Sequence, residues 1–148
     1  MLSLIGIEKE YRTGGQSVKA LDGVSITFRK NEFVSILGPS GCGKTTLLML
    51  VAGLEKPDRG RVLALGEDIT DVPVEKRGIG LVFQSYALFP NMTVAENIAF
   101  GLKMLGVPKA EMLHRTAQAI RIVELTGNEK KYPNQLSGGQ RQRVGIAR

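Results

Sequence analysis

A single cysteine, Cys42, is all the chain carries, so an internal disulfide is excluded. That scarcity suits a reducing compartment. No apolar run approaches the roughly 18 residues of a membrane span. The first residues also lack the basic start and apolar stretch of a signal peptide, so the chain is expected in the cytosol. Repeats and low-complexity tracts are missing too. Aromatic residues are 5% of the chain and do not interleave with basic side chains as base-stacking surfaces do, so no nucleic-acid partner is expected. The lone histidine, His114, falls in the middle of a predicted helix and reads as a surface residue rather than a catalytic base. A net charge of +6 leaves two readings, an anionic partner or a solvated basic face. With 43% hydrophobic and 23% charged residues, the disordered, collagen-like and disulfide-scaffold classes fall away. What remains is one structural unit of 148 residues, long enough for a real core.

Along the chain, Leu2-Ser3-Leu4-Ile5 and Val24-Ser25-Ile26-Thr27-Phe28 alternate apolar and polar residues, the period of half-buried antiparallel strands. Gly14-Gly15 marks the loop between them. Phe33-Val34-Ser35-Ile36-Leu37 is nearly continuous in apolar residues, which predicts a strand buried on both faces of a parallel sheet. Residues 44–53 read as a helix ended by Gly53, with Leu47, Leu48, Leu50 and Val51 on its core face. Turn residues Pro57-Asp58-Arg59-Gly60 lead into a strand at 61–65, and a second apolar strand, 79–83, runs into Gln84. Helical spacing then takes over. Thr93-Val94-Ala95-Glu96 fits a capping box, and Leu113, Ala117, Ile120 and Val123 recur at helical intervals over 111–125.

The chemistry is densest at Gly38-Pro39-Ser40-Gly41-Cys42-Gly43-Lys44-Thr45, which matches G-x-x-x-x-G-K-[ST] between a predicted strand and a predicted helix. A polyphosphate needs many donors at close range, and consecutive backbone N–H groups at a helix N-terminus supply them along with a favourable dipole. Gly38, Gly41 and Gly43 permit the tight turn. Lys44 reaches toward β and γ phosphates, the Thr45 hydroxyl is placed for Mg²⁺, and Thr46 is placed for the α phosphate. The pattern predicts nucleotide binding. Helix N-termini favour thiolates, so Cys42 is expected to alkylate readily with loss of nucleotide binding; a small residue that merely fits is the other reading.

A second glycine pair stands in Leu136-Ser137-Gly138-Gly139-Gln140. Ser137 and Gln140 fit an S/T-x-x-Q box at the start of a predicted helix, with Val144 and Ile146 or Ala147 turned inward. Local chemistry alone leaves a bare helix start and an anion site equally open. This segment follows a phosphate loop and a strand-end glutamine in the order found in ABC transporter ATPases, and the whole chain resembles their nucleotide-binding domain. The detail reaches the maltose, polyamine, sulfate, iron and phosphonate importer type through Asp71-Val72-Pro73, Lys76-Arg77-Gly78-Ile79-Gly80-Leu81-Val82-Phe83-Gln84, Tyr86-Ala87-Leu88-Phe89-Pro90 and Glu96-Asn97-Ile98-Ala99-Phe100-Gly101-Leu102. Asn91 stands where such proteins often carry histidine.

The resemblance implies an α/β fold: a P-loop core with an N-terminal antiparallel β region over about 1–84, a helical subdomain over about 85–135, and a signature helix from 136. It implies ATP and Mg²⁺ as cofactors, Lys44 and Gln84 as catalytic, and Thr45 and Gln84 as metal contacts. The phosphate loop residues Gly38, Pro39, Ser40, Gly41, Cys42, Gly43, Lys44, Thr45 and Thr46 then bind nucleotide together with Ser137, Gly138, Gly139 and Gln140 of a second subunit in a head-to-tail homodimer. Tyr11 resembles the residue that stacks on adenine, with core packing or plain exposure as alternatives. Further implied partners are a membrane permease docked on residues 85–135 and, indirectly, a solute-binding protein, with the ATPase on the cytoplasmic face of the cell membrane. Family members place the Walker B carboxylates, D-loop and switch histidine beyond the signature, outside these 148 residues, so residues 1–148 alone are expected to bind ATP poorly and not turn it over. An intact parent is expected to couple ATP hydrolysis to solute uptake. ABC-type ATPases of DNA repair, chromosome organisation or ribosome function fit less well, because the segment between Gln84 and Leu136 has no cysteine cluster and no sustained heptads. A nonhydrolytic interaction role is the reading if the natural product ends at Arg148.

Overall fold

The computed structural model describes the backbone of residues 1–148 and every side chain except that of Thr13. Contacts divide it into two compact units, Met1–Leu81 and Val82–Arg148.

The first unit is built on β1 (Leu2–Thr13), β2 (Gln16–Phe28), β3 (Arg59–Ala64) and β4 (Glu67–Asp68), an antiparallel sheet in the order β2-β1-β3-β4. The hairpin turns at Gly14-Gly15, whose positive φ values fit the tight reversal, and the register then sets Leu4 opposite both Ile26 and Val62. The pairing of β1 with β3 breaks between Ile5 and Glu8. There Gly60 adopts φ +91 with the carbonyls of Ile5 and Gly6 so close that a Cβ would lie 2.5 and 2.4 Å from their oxygens, so only glycine fits. The sheet's inner face and α1 (Lys44–Ala52) enclose Leu4, Ile7, Leu21, Leu47, Leu50, Val51, Val62 and Ile69. Each such side chain taken fully from water contributes about 1.5–3 kcal/mol.

Helix α1 ends where the glycine signal says it should. Gly53 is left-handed at φ 84 and its N–H returns to the last turn. A second device closes the same end: the Arg77 guanidinium donates to the carbonyls of Leu50 (2.8 Å), Val51 (3.0 Å), Thr70 (2.7 Å) and Val72 (2.8 Å). Partial burial pushes the Arg77 pKa down while the Asp71 charge opposes that shift. Four carbonyls therefore satisfy a cation that has no carboxylate in hydrogen-bonding contact, and they tie the helix end to the segment after β4.

Two predicted strands do not form. Residues 33–37 and 79–83 carry no ladder pairing among the described residues, and the expected double burial of the first is reversed, with Phe33 96% and Leu37 89% exposed. A strand is stable only where a neighbour satisfies its N–H and C=O groups, and no described residue lies alongside to do so. The strand predicted at 61–65 does form as β3, although Leu65 falls outside it and is exposed.

The second unit packs α2 (Val94–Met104), α3 (Lys109–Ile122) and α4 (Gly138–Ala147) around Val94, Ile98, Ile120, Leu125, Leu136 and Val144. None of the helices among the described residues is long and apolar enough to cross a membrane. The predicted capping box opens α2: Thr93 N–H donates to Glu96 Oε2 (2.8 Å) and Glu96 N–H to Thr93 Oγ1 (3.3 Å). Hydrogen bonds from the Thr93 N–H and hydroxyl hold the Glu96 carboxyl below its ordinary pKa. A depressed folded-state value stabilises above the unfolded pKa and is lost as pH falls through the folded one. Thr93→Ala is therefore expected to cost about 1 kcal/mol near neutrality and less in acid, as read from urea midpoints across pH.

The face of α3 departs from expectation, whereas that of α4 takes the Ala147 alternative of the two expected. In α3, Thr116 and Ile120 are buried while Leu113 and Ala117 face outward, because the seam against the rest of the unit runs through Thr116, Ala119, Ile120 and Val123. In α4, Val144 is buried and Ala147 half-buried, but Ile146 is 60% exposed. His114 is exposed, as expected.

Candidate nucleotide site

Residues 38–43 form an exposed loop that delivers Lys44 and Thr45 into the first turn of α1. Gly43 is the N-cap at φ 85, and a Cβ there would lie 2.3 Å from the Ala20 carbonyl oxygen, so this position needs glycine both for its dihedral and for its approach to β2. The Lys44 ammonium folds back over the loop and donates to the carbonyls of Gly38 (2.8 Å) and Pro39 (2.7 Å), 3.4 Å from Cys42 Sγ. The thiol is exposed and fills the space beside Gly38, where a Cβ would approach it to 2.6 Å.

The start of α1 differs from the other helix starts. Helix α2 has its capping box, α4 has another formed by Ser137 and Gln140, and α3 has Glu111 in its first turn. Helix α1 has neither a side-chain cap nor an acidic residue there. Its first N–H groups and the positive end of its dipole face outward with only Lys44 and the exposed hydroxyl of Thr45 beside them, an arrangement that favours an anion. Thr46 is half-buried in the same turn.

Tyr11 also belongs to the first unit. It lies on β1 opposite Val18, half-buried, with the Lys9 ammonium 5.5 Å from its ring centroid. One ring face therefore serves a cation.

Gln84 and the Ser137–Gln140 stretch belong to the second unit. Gln84 is exposed in a turn closed by Tyr86 N–H donating to Phe83 O (2.8 Å). Tyr86 and Ala87 follow in the left-handed region at φ 62 and 46, a conformation that costs non-glycine residues roughly 1–2 kcal/mol each. Ser137 N–H donates to Gln140 Oε1 (2.9 Å) and Gln140 N–H to Ser137 Oγ (3.2 Å), leaving Gly138 and Gly139 exposed at the helix start. Leu136 is buried beneath them, and Arg141 donates to its carbonyl at 2.7 Å.

Three polar side chains organise these surroundings without having been singled out in the sequence: Arg77, Asn97 and Arg148. Asn97 is fully buried; its Oδ1 accepts from Phe89 N–H (2.9 Å) and its Nδ2 reaches the carbonyls of Phe89 (3.2 Å), Met92 (3.0 Å) and Thr93 (3.0 Å). One signal was available. Asn97 shares the buried face of α2 with Val94 and Ile98, and a polar residue at core spacing asks for a partner.

A glycine loop that feeds Lys-Thr into an uncapped helix beside a mixed sheet-and-helix core defines the P-loop nucleotide-binding class. The ABC transporter family profile matches residues 21–148, and the chain belongs to that family. Similar proteins include a spermidine/putrescine import ATP-binding protein of Thermobifida fusca, 51% identical over 99% of this chain. An Fe(3+) ions import ATP-binding protein of Escherichia coli K12 is 51% identical over 93% of it. The chain spans 38% and 39% of the lengths of these two curated relatives. Among solved structures, a dimeric ATP-binding cassette in a post-hydrolysis state with ADP and phosphate superimposes with a TM-score of 0.90 at 36% identity, covering 99% of this chain and 68% of that one.

Proposed function

We propose that this chain is the nucleotide-gripping part of an importer ATPase, and that the protein expressed from its complete gene couples ATP hydrolysis to solute uptake through a permease. The observation that carries the reading is the uncapped start of α1 with the Lys44 ammonium resting on its own loop carbonyls. On this reading the ammonium exchanges those carbonyls for β and γ phosphate oxygens, the loop N–H groups hold the remaining oxygens, and Thr46 contacts the α phosphate. Tyr11 supports the adenine ring.

The donor set also fits Mg²⁺. Among the described residues no group of three or more His, Cys, Asp or Glu side chains could cage a metal, and Mg²⁺ with a nucleotide needs none: it keeps waters and binds through phosphates with one or two protein oxygens. Thr45 and Gln84 would supply those oxygens, and the ion would neutralise charge on the transferring phosphoryl group. Gln84 also orients the attacking water. Ser137, Gly138, Gly139 and Gln140 close over ATP bound to a second subunit in a head-to-tail dimer, a reading supported by the dimeric state of the cassette with the same fold.

Permease docking falls to the second unit. A cleft of about 680 Å³ there is lined by Met92, Phe100, Met104, Val107 and Met112 together with Lys103 and Lys109, an adaptable, largely apolar surface suited to a helix. Such docking holds the ATPase at the cytoplasmic face of the membrane. Relatives named for polyamine and for iron import match equally well at 51%, so these residues do not encode the solute. Recognition falls to the permease and a solute-binding protein.

The test uses Cys42. In the protein expressed from its complete gene, saturating Mg²⁺-ATP is expected to slow Cys42 alkylation by N-ethylmaleimide at least about tenfold, because the loop that bears it becomes covered, and the alkylated protein should no longer bind labelled ATP. Equal alkylation rates with and without nucleotide, or full binding after alkylation, would count against the site. Reconstitution with the permease, followed by ATP-dependent uptake into vesicles, then separates transport from any other use of the ATP.

A further inference from the structure

The strained pair Tyr86 and Ala87 lies against α4, and what α4 offers at that contact is specific. Gly145 packs on Tyr86 in ordinary contact: a Cβ on it would sit 3.4 Å from Tyr86 Cβ and 3.5 Å from the Tyr86 carbonyl oxygen. One turn further on, Arg148 donates from Nη1 to the Ala87 carbonyl. Its guanidinium carbon lies 4.2 Å from the Phe89 ring centroid and 5.7 Å from that of Phe100. The two rings are themselves in contact, with centroids 4.5 Å apart and planes tilted by 55°. Arginine suits this place because a planar guanidinium can stack on a ring and donate in its plane at once, which an ammonium cannot.

Two left-handed non-glycine residues in succession persist only where their surroundings over-determine them. Here the surroundings include α4, through Gly145 and through Arg148, whose guanidinium is itself held against the Phe89–Phe100 pair. Gln84 sits two residues before Tyr86, in the turn closed by the hydrogen bond from Tyr86 N–H to Phe83 O, so whatever holds Tyr86 and Ala87 also fixes the direction of Gln84.

We propose that Arg148 is a positioning residue for Gln84: with Gly145 it locks the left-handed Tyr86-Ala87 turn onto α4, so that the Gln84 turn and the helix beginning at Gly138 move as one piece. This rests on the reading of Gln84 as the contact to water and Mg²⁺. Its consequence is reciprocal. Engagement of the Ser137–Gln140 end of α4 is felt at Gln84, and a pull on the Gln84 turn is felt at the start of α4.

The experiment is a double-mutant cycle on ATP hydrolysis by the protein expressed from its complete gene, with Arg148→Met, Arg148→Lys, Gln84→Ala and the double variant Gln84→Ala/Arg148→Met. Arg143→Met is the control, since Arg143 lies on the same helix and reaches Val123 O and Glu124 instead. Arg148→Met is expected to lower kcat about tenfold to a hundredfold with KM for ATP little changed, the size that misplacing a reacting group produces. Arg148→Lys should recover only part of that loss. The double variant should be no slower than Gln84→Ala alone, because the two residues act through one group. Amide exchange at residues 84–88 should quicken in Arg148→Met and stay as it was in Arg143→Met. If Gln84→Ala leaves kcat unchanged, the reading of Gln84 falls and takes the positioning role with it. If Gln84→Ala is slow but Arg148→Met is not, or if their effects multiply, Gln84 keeps its role and the clamp is overturned. A drop in thermal stability with unaltered kcat for Arg148→Met likewise makes the contact structural only.

Discussion

Replacing Lys44 with alanine is expected to lower kcat/KM for ATP at least about a hundredfold in the protein expressed from its complete gene, the scale seen when one donor to developing negative charge is removed. The Lys44 ammonium contacts the carbonyls of Gly38 and Pro39, in a loop where both residues are exposed, so water takes its place without leaving a buried group unpaired. The cost to stability should thus be under about 1 kcal/mol. That contrast is the informative part: activity and nucleotide affinity collapse while the urea midpoint hardly moves. Lys44→Arg should fail almost as badly, because the planar fork does not fit the space in which a compact ammonium lies between two loop carbonyls and Cys42 Sγ. Isothermal titration with ATP and a phosphate-release assay check both variants. Retained hydrolysis in Lys44→Ala would remove the phosphate loop from the mechanism.

Features decided within a few residues were the legible ones. The capping boxes at Thr93/Glu96 and Ser137/Gln140 are three-residue reciprocal bonds, and both form as the residue types specify. The Gly14-Gly15 reversal and the Gly53 helix end follow from local dihedral freedom in the same way. Residues 33–37 and 79–83 show the opposite. Their apolar composition is that of buried strands, yet a strand also needs a neighbour, and composition says nothing about whether one is at hand. In α3, Leu113 and Ala117 satisfy the helical period as well as Thr116 and Ala119 do, so only packing picks the buried face.

The candidate site divides along the same line. Its glycine loop and Lys-Thr are contiguous and could be read directly. The residues that brace it could not. Arg77 finds Leu50 across 27 positions and Arg148 finds Ala87 across 61, distances over which sequence spacing carries no geometric information. An arginine met in a sequence is by default a solvated charge. Only the fold shows that these two serve backbone carbonyls instead.

Asn97 offers the second large effect, on stability rather than chemistry. Asn97→Ala leaves Phe89 N–H and Met92 O without their side-chain partner, whereas Phe89 O keeps a bond from Met92 N–H and Thr93 O one from Asn97 N–H. Two orphaned, half-buried backbone groups should cost about 2 kcal/mol together. Asn97→Asp is nearly isosteric and preserves the acceptor for Phe89 N–H, yet it should be worse near neutrality. It turns a donor surrounded by three carbonyls into an anion surrounded by three carbonyls, fully buried. Burial and carbonyl repulsion must raise that carboxyl's folded-state pKa above its unfolded value. A raised value means that stability is present below the unfolded pKa and is lost as pH rises through the folded one. Once protonated, the carboxyl can donate to one carbonyl again. Urea midpoints of the two variants should therefore lie far apart at neutral pH, with Asn97→Asp the lower, and converge or cross as the solution is acidified. A gap that does not change with pH would show that Asn97 is solvated in solution and does not hold the turn that leads from Phe89 into α2.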